Sequence, residues 1–306
     1  MRIRAIAVLF AALFAPASGF AQTGWFPEHR AFPGPVADPL EPRIAGGLVV
    51  SDLFEVRAAA PAERPPFRVD ADEPADDLES DLQATVALGG TMPLWGTRTS
   101  WNGNIIIAPQ LAVFARFRIE PASRDVVGTD WIAALPLEVR FNDRVEARLR
   151  VLHRSAHLGD ELLQSAGALR LEFSHEAVDA LVGVRPIPGL RVYGGGALVI
   201  RSQTFRWADR GDGLFQGVVD FDDDFWAQGG VEAEGGGAWG WHVAADWQAA
   251  QRSDWKEQIS AIAGVTARFH GRHARLHLRY QTGVSPLGEF FLTDERVVGV
   301  ELEFEP

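Results

Sequence analysis

The sequence predicts an all-β protein, an antiparallel transmembrane β-barrel of about 12 strands behind a cleavable export signal. Three observations predict it. Segments of about ten residues alternate between apolar and polar side chains. The polar face of those segments carries bulky Arg, His and Glu along whole strands, as a wet lumen allows and an ordinary core does not. The chain also opens with an export leader, and no later segment approaches the roughly 18 continuous apolar residues that a membrane helix needs.

Taken in order, residues 1–21 read as a signal peptide. Arg2 and Arg4 supply its positive start, residues 5–16 its short apolar run, and Gly19-Phe20-Ala21 a small-residue cleavage site before Gln22. No Cys follows that site, so a lipid-anchored mature end is excluded. Residues 22–42 are expected to form a periplasmic segment ahead of a barrel over 43–306. Strands are expected near 43–51, 82–92, 102–118, 127–141, 145–155, 168–176, 189–201, 226–235, 238–251, 255–269, 273–283 and 294–304. The first has the weakest pattern. It is included because an even strand number lets both termini share the periplasm.

Two hairpins can be registered. Trp131, Ala133, Leu135, Leu137, Val139 and Phe141 form one apolar face, which resumes after Asn142-Asp143-Arg144 as Val145, Ala147, Leu149 and Val151. Pairing Val139 with Ala147 and Leu137 with Leu149 sets Arg140 opposite Glu146 and Glu138 opposite Arg148, two pairs of opposite charge. In the second, His273, Arg275, His277, Arg279 and Gln281 alternate with Ala274, Leu276, Leu278 and Tyr280 behind a type II′ turn expected at Gly271-Arg272. The tight turns at Asn142, Gly236 and Gly271 then lie in the periplasm. The longer connections 57–81, 156–167, 202–225 and 284–293 face outside. The final strand, Gly299-Val300-Glu301-Leu302-Glu303-Phe304, resembles the terminal signal of bacterial outer-membrane proteins, with two extra residues after the Phe.

Composition narrows the function classes. The chain has no Cys, which excludes disulfides and thiolate chemistry. It carries 29 Lys+Arg against 41 Asp+Glu; without Arg2 and Arg4 this becomes 27 against 41, or −14, the wrong sign for a nucleic-acid partner. The partners implied are outer-membrane lipids, lipopolysaccharide and the barrel-assembly machinery.

Four strings occur in order: Phe32-Pro33 with Ala37-Asp38-Pro39 and Pro42-Arg43; His153-Arg154-Ser155-Ala156-His157-Leu158-Gly159-Asp160-Glu161; Arg191-Val192-Tyr193-Gly194-Gly195; and Gly283-Val284-Ser285-Pro286-Leu287-Gly288-Glu289-Phe290. Together they resemble an uncharacterised bacterial outer-membrane family, the domain of unknown function 1207. The resemblance implies an outer-membrane location and supplies no activity. Where the family carries Gln-Phe-Tyr, this chain has Glu289-Phe290-Phe291.

The second string holds the candidate chemistry. In the register above His153 falls opposite Ala133 and Ser155 opposite Trp131. Strict alternation therefore points His153, Ser155 and His157 at lipid, near headgroup height, whereas a bulge at Val151-Leu152 would turn them into the lumen. The plain reading is a structural or binding role, with Gly159-Asp160-Glu161 turning and fastening an outer loop. A second reading is an outer-leaflet lipid hydrolase with His153 as base, Ser155 as nucleophile and Glu161 or Glu172 orienting the imidazole. The His-x-Ser pair is similar to that of the lipid A 3-O-deacylase barrels, although those follow the Ser with Asn and this chain has Ala156. A metal site from His153, His157 and Asp160 or Glu161 needs a bent chain, since an extended strand parts the two His by about 13 Å. A narrow passive channel is the remaining reading.

Two acidic runs, Asp70, Asp72, Glu73, Asp76, Asp77, Glu79 and Asp81, then Asp220, Asp222, Asp223 and Asp224, suit either a solvated loop or capture of Ca²⁺ or Mg²⁺ bridging lipopolysaccharide phosphates. His242, Asp246, Arg268, Arg275, His277 and Arg279 are assigned to the lumen, where so narrow a barrel favours an ion network over a wide pore.

Overall fold

The structure is a computed structural model that describes residues 23–53, 81–101, 103–119, 126–159, 171–202, 204–209, 214–219, 224–269, 272–291 and 293–305. Twelve strands make the wall: β1 (Ile44–Ser51), β2 (Asp81–Thr91), β3 (Gln110–Arg118), β4 (Val126–Arg140), β5 (Val145–Leu158), β6 (Leu171–Ile187), β7 (Leu190–Ser202), β8 (Phe225–Gly236), β9 (Trp239–Ala250), β10 (Glu257–Phe269), β11 (Arg272–Val284) and β12 (Asp294–Glu305). Each pairs antiparallel with its neighbours, and β12 pairs with β1 from Val297–Ser51 to Phe304–Ile44, which closes the barrel and leaves its wall no edge. The weak first strand is thus real, as the even count required.

Tight connections at 142–144, 188–189 and 237–238 share one end, where the longer connection 92–109 also lies. The predicted register of β4 and β5 holds at every pair, Val139–Ala147, Leu137–Leu149, Arg140–Glu146 and Glu138–Arg148 included. Three details differ. The expected strand 102–118 is broken: Asn104–Ile107 and β3 both run beside β4, and Pro109, which has no amide hydrogen to give the ladder, lies between them. Asn104–Ile107 also pairs with Trp95–Arg98, which pairs with Thr23–Trp25, so three short strands extend the tight-turn end. The expected strand 168–176 continues to Ile187 and turns at 188–189, where Pro188 precedes Gly189 at φ 76°, the residue pair a type II turn asks for. Finally, Phe269 pairs with Arg272, so Arg272 belongs to β11 and not to the turn expected at Gly271-Arg272.

Alternation decides which side chains meet which solvent. The outward face bears Leu88, Leu111, Leu135, Val151, Val182, Val243, Leu276, Leu278 and Val300, all exposed. Aromatic side chains ring this band, Phe141, Trp239, Trp241, Phe269 and Phe304 at the tight-turn end and Trp131, Phe225, Trp247, Trp255 and Tyr280 at the other. The inward face is charged. His242, Asp246, Arg275, His277 and Arg279 are all buried inside, as expected, while Arg268 sits at the rim with Glu234 at 2.8 Å.

The segment expected in the periplasm instead enters the barrel. Glu138, fully buried, accepts from Arg30 Nη2 (2.7 Å) and from the backbone amides of Ala31 (3.0 Å) and Phe32 (3.1 Å). The Phe32 ring lies 5.2 Å from the Arg148 guanidinium and 4.7 Å from that of Arg191. Asp38 receives Gln228 (3.0 Å) and Gln248 (3.2 Å), and Glu41 pairs with Arg148 at 2.9 Å. Opposed charges on β4 and β5 therefore share a register but find other partners: Glu138 takes Arg30, Arg148 takes Glu41, and Glu146 takes Arg191 at 2.8 Å and Arg185.

The opposite mouth is capped by the connection after β11. Gly288 N donates to Asp130 at 3.1 Å, and Arg154 binds the same carboxylate at 2.6 Å and the Pro286 carbonyl. Phe290 and Phe291 are buried, with Phe291 5.5 Å from Phe173. A Cβ on Gly288 would stand 2.5 Å from Phe173 and 2.7 Å from Ala156, so only Gly fits there.

Candidate functional site

No bulge interrupts β5, so its alternation runs the length of the strand. Arg154, Ala156 and Leu158 face inward; His153, Ser155 and His157 face outward, beyond the last apolar outward residue, Val151. His153 lies opposite Ala133 on one side and Glu176 on the other; Ser155 lies opposite Trp131 and Ser174. Trp131 belongs to the aromatic ring, so this patch stands where the apolar band ends.

The imidazole has a fixed partner. His153 Nδ1 and Glu176 Oε1 are 3.1 Å apart, with side chains 46% and 34% exposed. Glu176 turns that nitrogen into the donor and leaves Nε2 free to accept a proton, the division of labour a general base needs. Ser155 is next on the same face, about 7 Å along an extended strand. No hydrogen bond joins it to His153 or His157. Arg201 of β7 completes the row, its Nε 3.9 Å from Glu176 Oε2.

Of the two orientations open in the sequence for His153, Ser155 and His157, the unbroken register of β5 gives the outward one, and the orienting carboxylate was sought elsewhere, at Glu161 or Glu172. Asp160 and Glu161 lie outside the described residues. The backbone of Glu172 pairs with Phe205, beyond the patch. Glu176 shares the parity of Glu172 on the neighbouring strand, and only the register of that strand, which the sequence did not give, sets Glu176 beside His153.

Of the proposed cation ligands, Asp222 and Asp223 lie outside the described residues, as do Asp70, Asp72, Glu73, Asp76, Asp77 and Glu79. Asp224 is buried and engaged by Arg252, whose amide and Nη1 each donate to it at 2.7 Å. Among the described residues, His277, Glu301 and Glu303 bring possible ligand atoms within 4.8 Å of one another. Arginines already neutralise that cluster: Arg43 (3.2 Å) and Arg279 (3.0 Å) hold Glu301, and Arg275 (2.7 Å) holds Glu303. A cation there would face three guanidinium groups.

An aqueous cavity of about 470 Å³ opens at the tight-turn end, lined by Arg30, Glu41, Arg43, Arg140, Arg275 and Glu303 among others. A second space in the lumen, beside Arg116, Arg279 and Glu301, is only about 50 Å³.

Among solved structures, the chain is similar to the translocator domain of the autotransporter NalP from Neisseria meningitidis, at 10% identity over 100% of this chain and 95% of that one, with a TM-score of 0.42. It is similar to LpxR from Salmonella typhimurium at 12% identity over 85% and 99%, TM-score 0.34, and to the β domain of the Bordetella autotransporter BrkA at 12% identity over 86% and 98%, TM-score 0.39. No curated protein matches it in sequence. Residues 71–305, which take in eleven of the twelve wall strands, match the family described as a protein of unknown function, DUF1207, and the chain belongs to that family.

Proposed function

We propose that this protein is an outer-membrane barrel, exported on its 1–21 leader, that hydrolyses acyl esters of lipids in the outer leaflet. The observation that carries the reading is the outward-facing His153, held by Glu176 at 3.1 Å beside Ser155, at the upper limit of the apolar band. Water-filled lumen chemistry has little support. The interior is occupied by 30–43 and capped by 285–291, which disfavours the channel reading.

The reaction follows from the groups present. Ser155 Oγ attacks the ester carbonyl carbon while His153 Nε2 takes its proton. The tetrahedral intermediate collapses, the C–O bond breaks, and His153 returns the proton to the departing lipid alcohol. Water, deprotonated by His153, then releases the fatty acid and regenerates Ser155. Glu176, in contact with Nδ1, steadies the imidazolium. In the unliganded protein the Ser–His hydrogen bond is unmade, as is common before substrate brings the groups together.

The test is hydrolysis of outer-membrane lipids by the reconstituted barrel, followed by mass spectrometry of the released acyl chains. Ser155→Ala and His153→Ala are expected to abolish release, and Glu176→Gln to slow it by roughly 10²-fold or more through loss of orientation. Release that persists unchanged in Ser155→Ala, or none by the unaltered protein, rejects the hydrolase. The barrel would then keep the plain surface-binding role.

A further inference from the structure

β7 alternates regularly along most of its length. Arg191, Tyr193, Ala197 and Val199 are buried inward, and Val192 and Leu198 are exposed outward. By the same parity Arg201 belongs inside. It does not go there. The pairing with β6 steps from Val199–Ala177 to Arg201–Glu176, so a β-bulge at Ile200 inserts one residue and turns Arg201 outward. Bulges give up ladder hydrogen bonds and are found where a side chain must be re-aimed.

The re-aimed guanidinium completes a row across β5, β6 and β7: His153, Glu176, Arg201. The row below is Val151, Val178 and Leu198, all apolar. Arg201 thus stands one row beyond the alkyl zone. Its side chain is 61% exposed, and its contact with Glu176, at 3.9 Å, is too long for a hydrogen bond. Its planar fork of donors therefore faces outward at headgroup height, and that fork matches phosphate oxygens. Three strands set it about 10 Å from His153, a separation that a lipid headgroup spans.

We propose that Arg201 binds the phosphate of the lipid whose acyl ester lies over Ser155, so that the substrates are phosphate-bearing acyl lipids. The acyl-ester half of this statement rests on the hydrolase reading; phosphate binding by Arg201 does not. Two sources share the chemistry, the phosphodiester of a glycerophospholipid and the phosphomonoester of lipid A.

Native mass spectrometry of the folded Ser155→Ala barrel separates them, with phosphatidylglycerol, bis-phosphorylated lipid A and neutral diacylglycerol as probes. Heat-modifiable mobility verifies that each variant is folded. A phosphate-bearing probe is expected to be retained roughly tenfold or more over diacylglycerol. Adding Arg201→Ala should remove that preference and Arg201→Lys should keep part of it. The better retained phosphate lipid identifies the source. Retention of diacylglycerol at parity, or a preference unchanged by Arg201→Ala, overturns the proposal. If the unaltered protein binds phosphate lipid and hydrolyses none, the hydrolase reading falls and Arg201 keeps its role.

Discussion

Glu41 illustrates how single residues hold this interior. Burial by itself would raise its pKa, but the guanidinium groups of Arg148, Arg150 and Arg30 outweigh burial and bring it from 4.5 down to about 2. A carboxylate lowered on folding stabilises the native state above its unfolded value, and the contribution is lost as pH falls through the folded one. The size is on the order of 3 kcal/mol. Stability is therefore expected to drop between pH 4.5 and about 2, read as the urea midpoint of the folded band in cold electrophoresis. Glu41→Gln should flatten that drop and lower the midpoint at neutral pH, where Arg148 loses its counter-charge. An equal slope in both proteins would show that Glu41 is not the titrating group. None of this was visible in the sequence: Glu41 sits in a Pro-rich stretch without periodicity, and its partners lie 107 and 109 residues away, at Arg148 and Arg150.

At the scale of elements, period-two patterning made nearly every wall strand legible, because lipid outside and charge inside impose opposite demands on alternate residues. It failed where that contrast fades. The second half of β6, from Ala177 to Ile187, carries Ala177 and Leu181 inward as well as Val178, Val182 and Val184 outward, and has Pro186 near its end, so it reads as loop. The outward turn of Arg201 is illegible for a different reason, since a bulge leaves no mark in the alternation that precedes it. The connection after β11 reads as an ordinary outer loop, yet it is anchored inward by Asp130, Arg154 and the bare Gly288. Asp130→Ala removes the acceptor from one buried guanidinium and one amide, a loss of about 3–5 kcal/mol. The expected result is protease cleavage within 285–291 in the reconstituted barrel, where the unaltered protein resists; resistance in both would mean that Phe290 and Phe291 suffice to hold the cap.

Across the whole molecule, the closed wall, the inserted N-terminal segment and the cap leave clefts of unequal size among the described residues, lined by charged side chains. A planar bilayer containing the unaltered protein is expected to show no resolved conductance steps. Deleting residues 26–41 removes Arg30, Phe32, Asp38 and Glu41 from the interior, and steps should then appear. Open-channel currents from the intact chain would contradict the sealed interior. The twelve-strand count was readable in advance, because it follows from local alternation; the outward aim of His153 and Ser155 also needed the absence of a bulge in β5, which alternation alone does not give. A charged, narrow lumen was expected, but the segment inserted into it was not, because its side chains find their partners only once the wall has closed.

That interior also divides the molecule's charges by their exposure to electrolyte. Pairs such as Glu138–Arg30 and Glu41–Arg148 are enclosed by protein, where mobile ions screen them little. The pair His153–Glu176 and the fork of Arg201 stand in the open, within reach of every cation at the cell surface. A shift in the ionic strength of the surroundings thus weakens the outward row more than it weakens the buried pairs that fix the inserted segment.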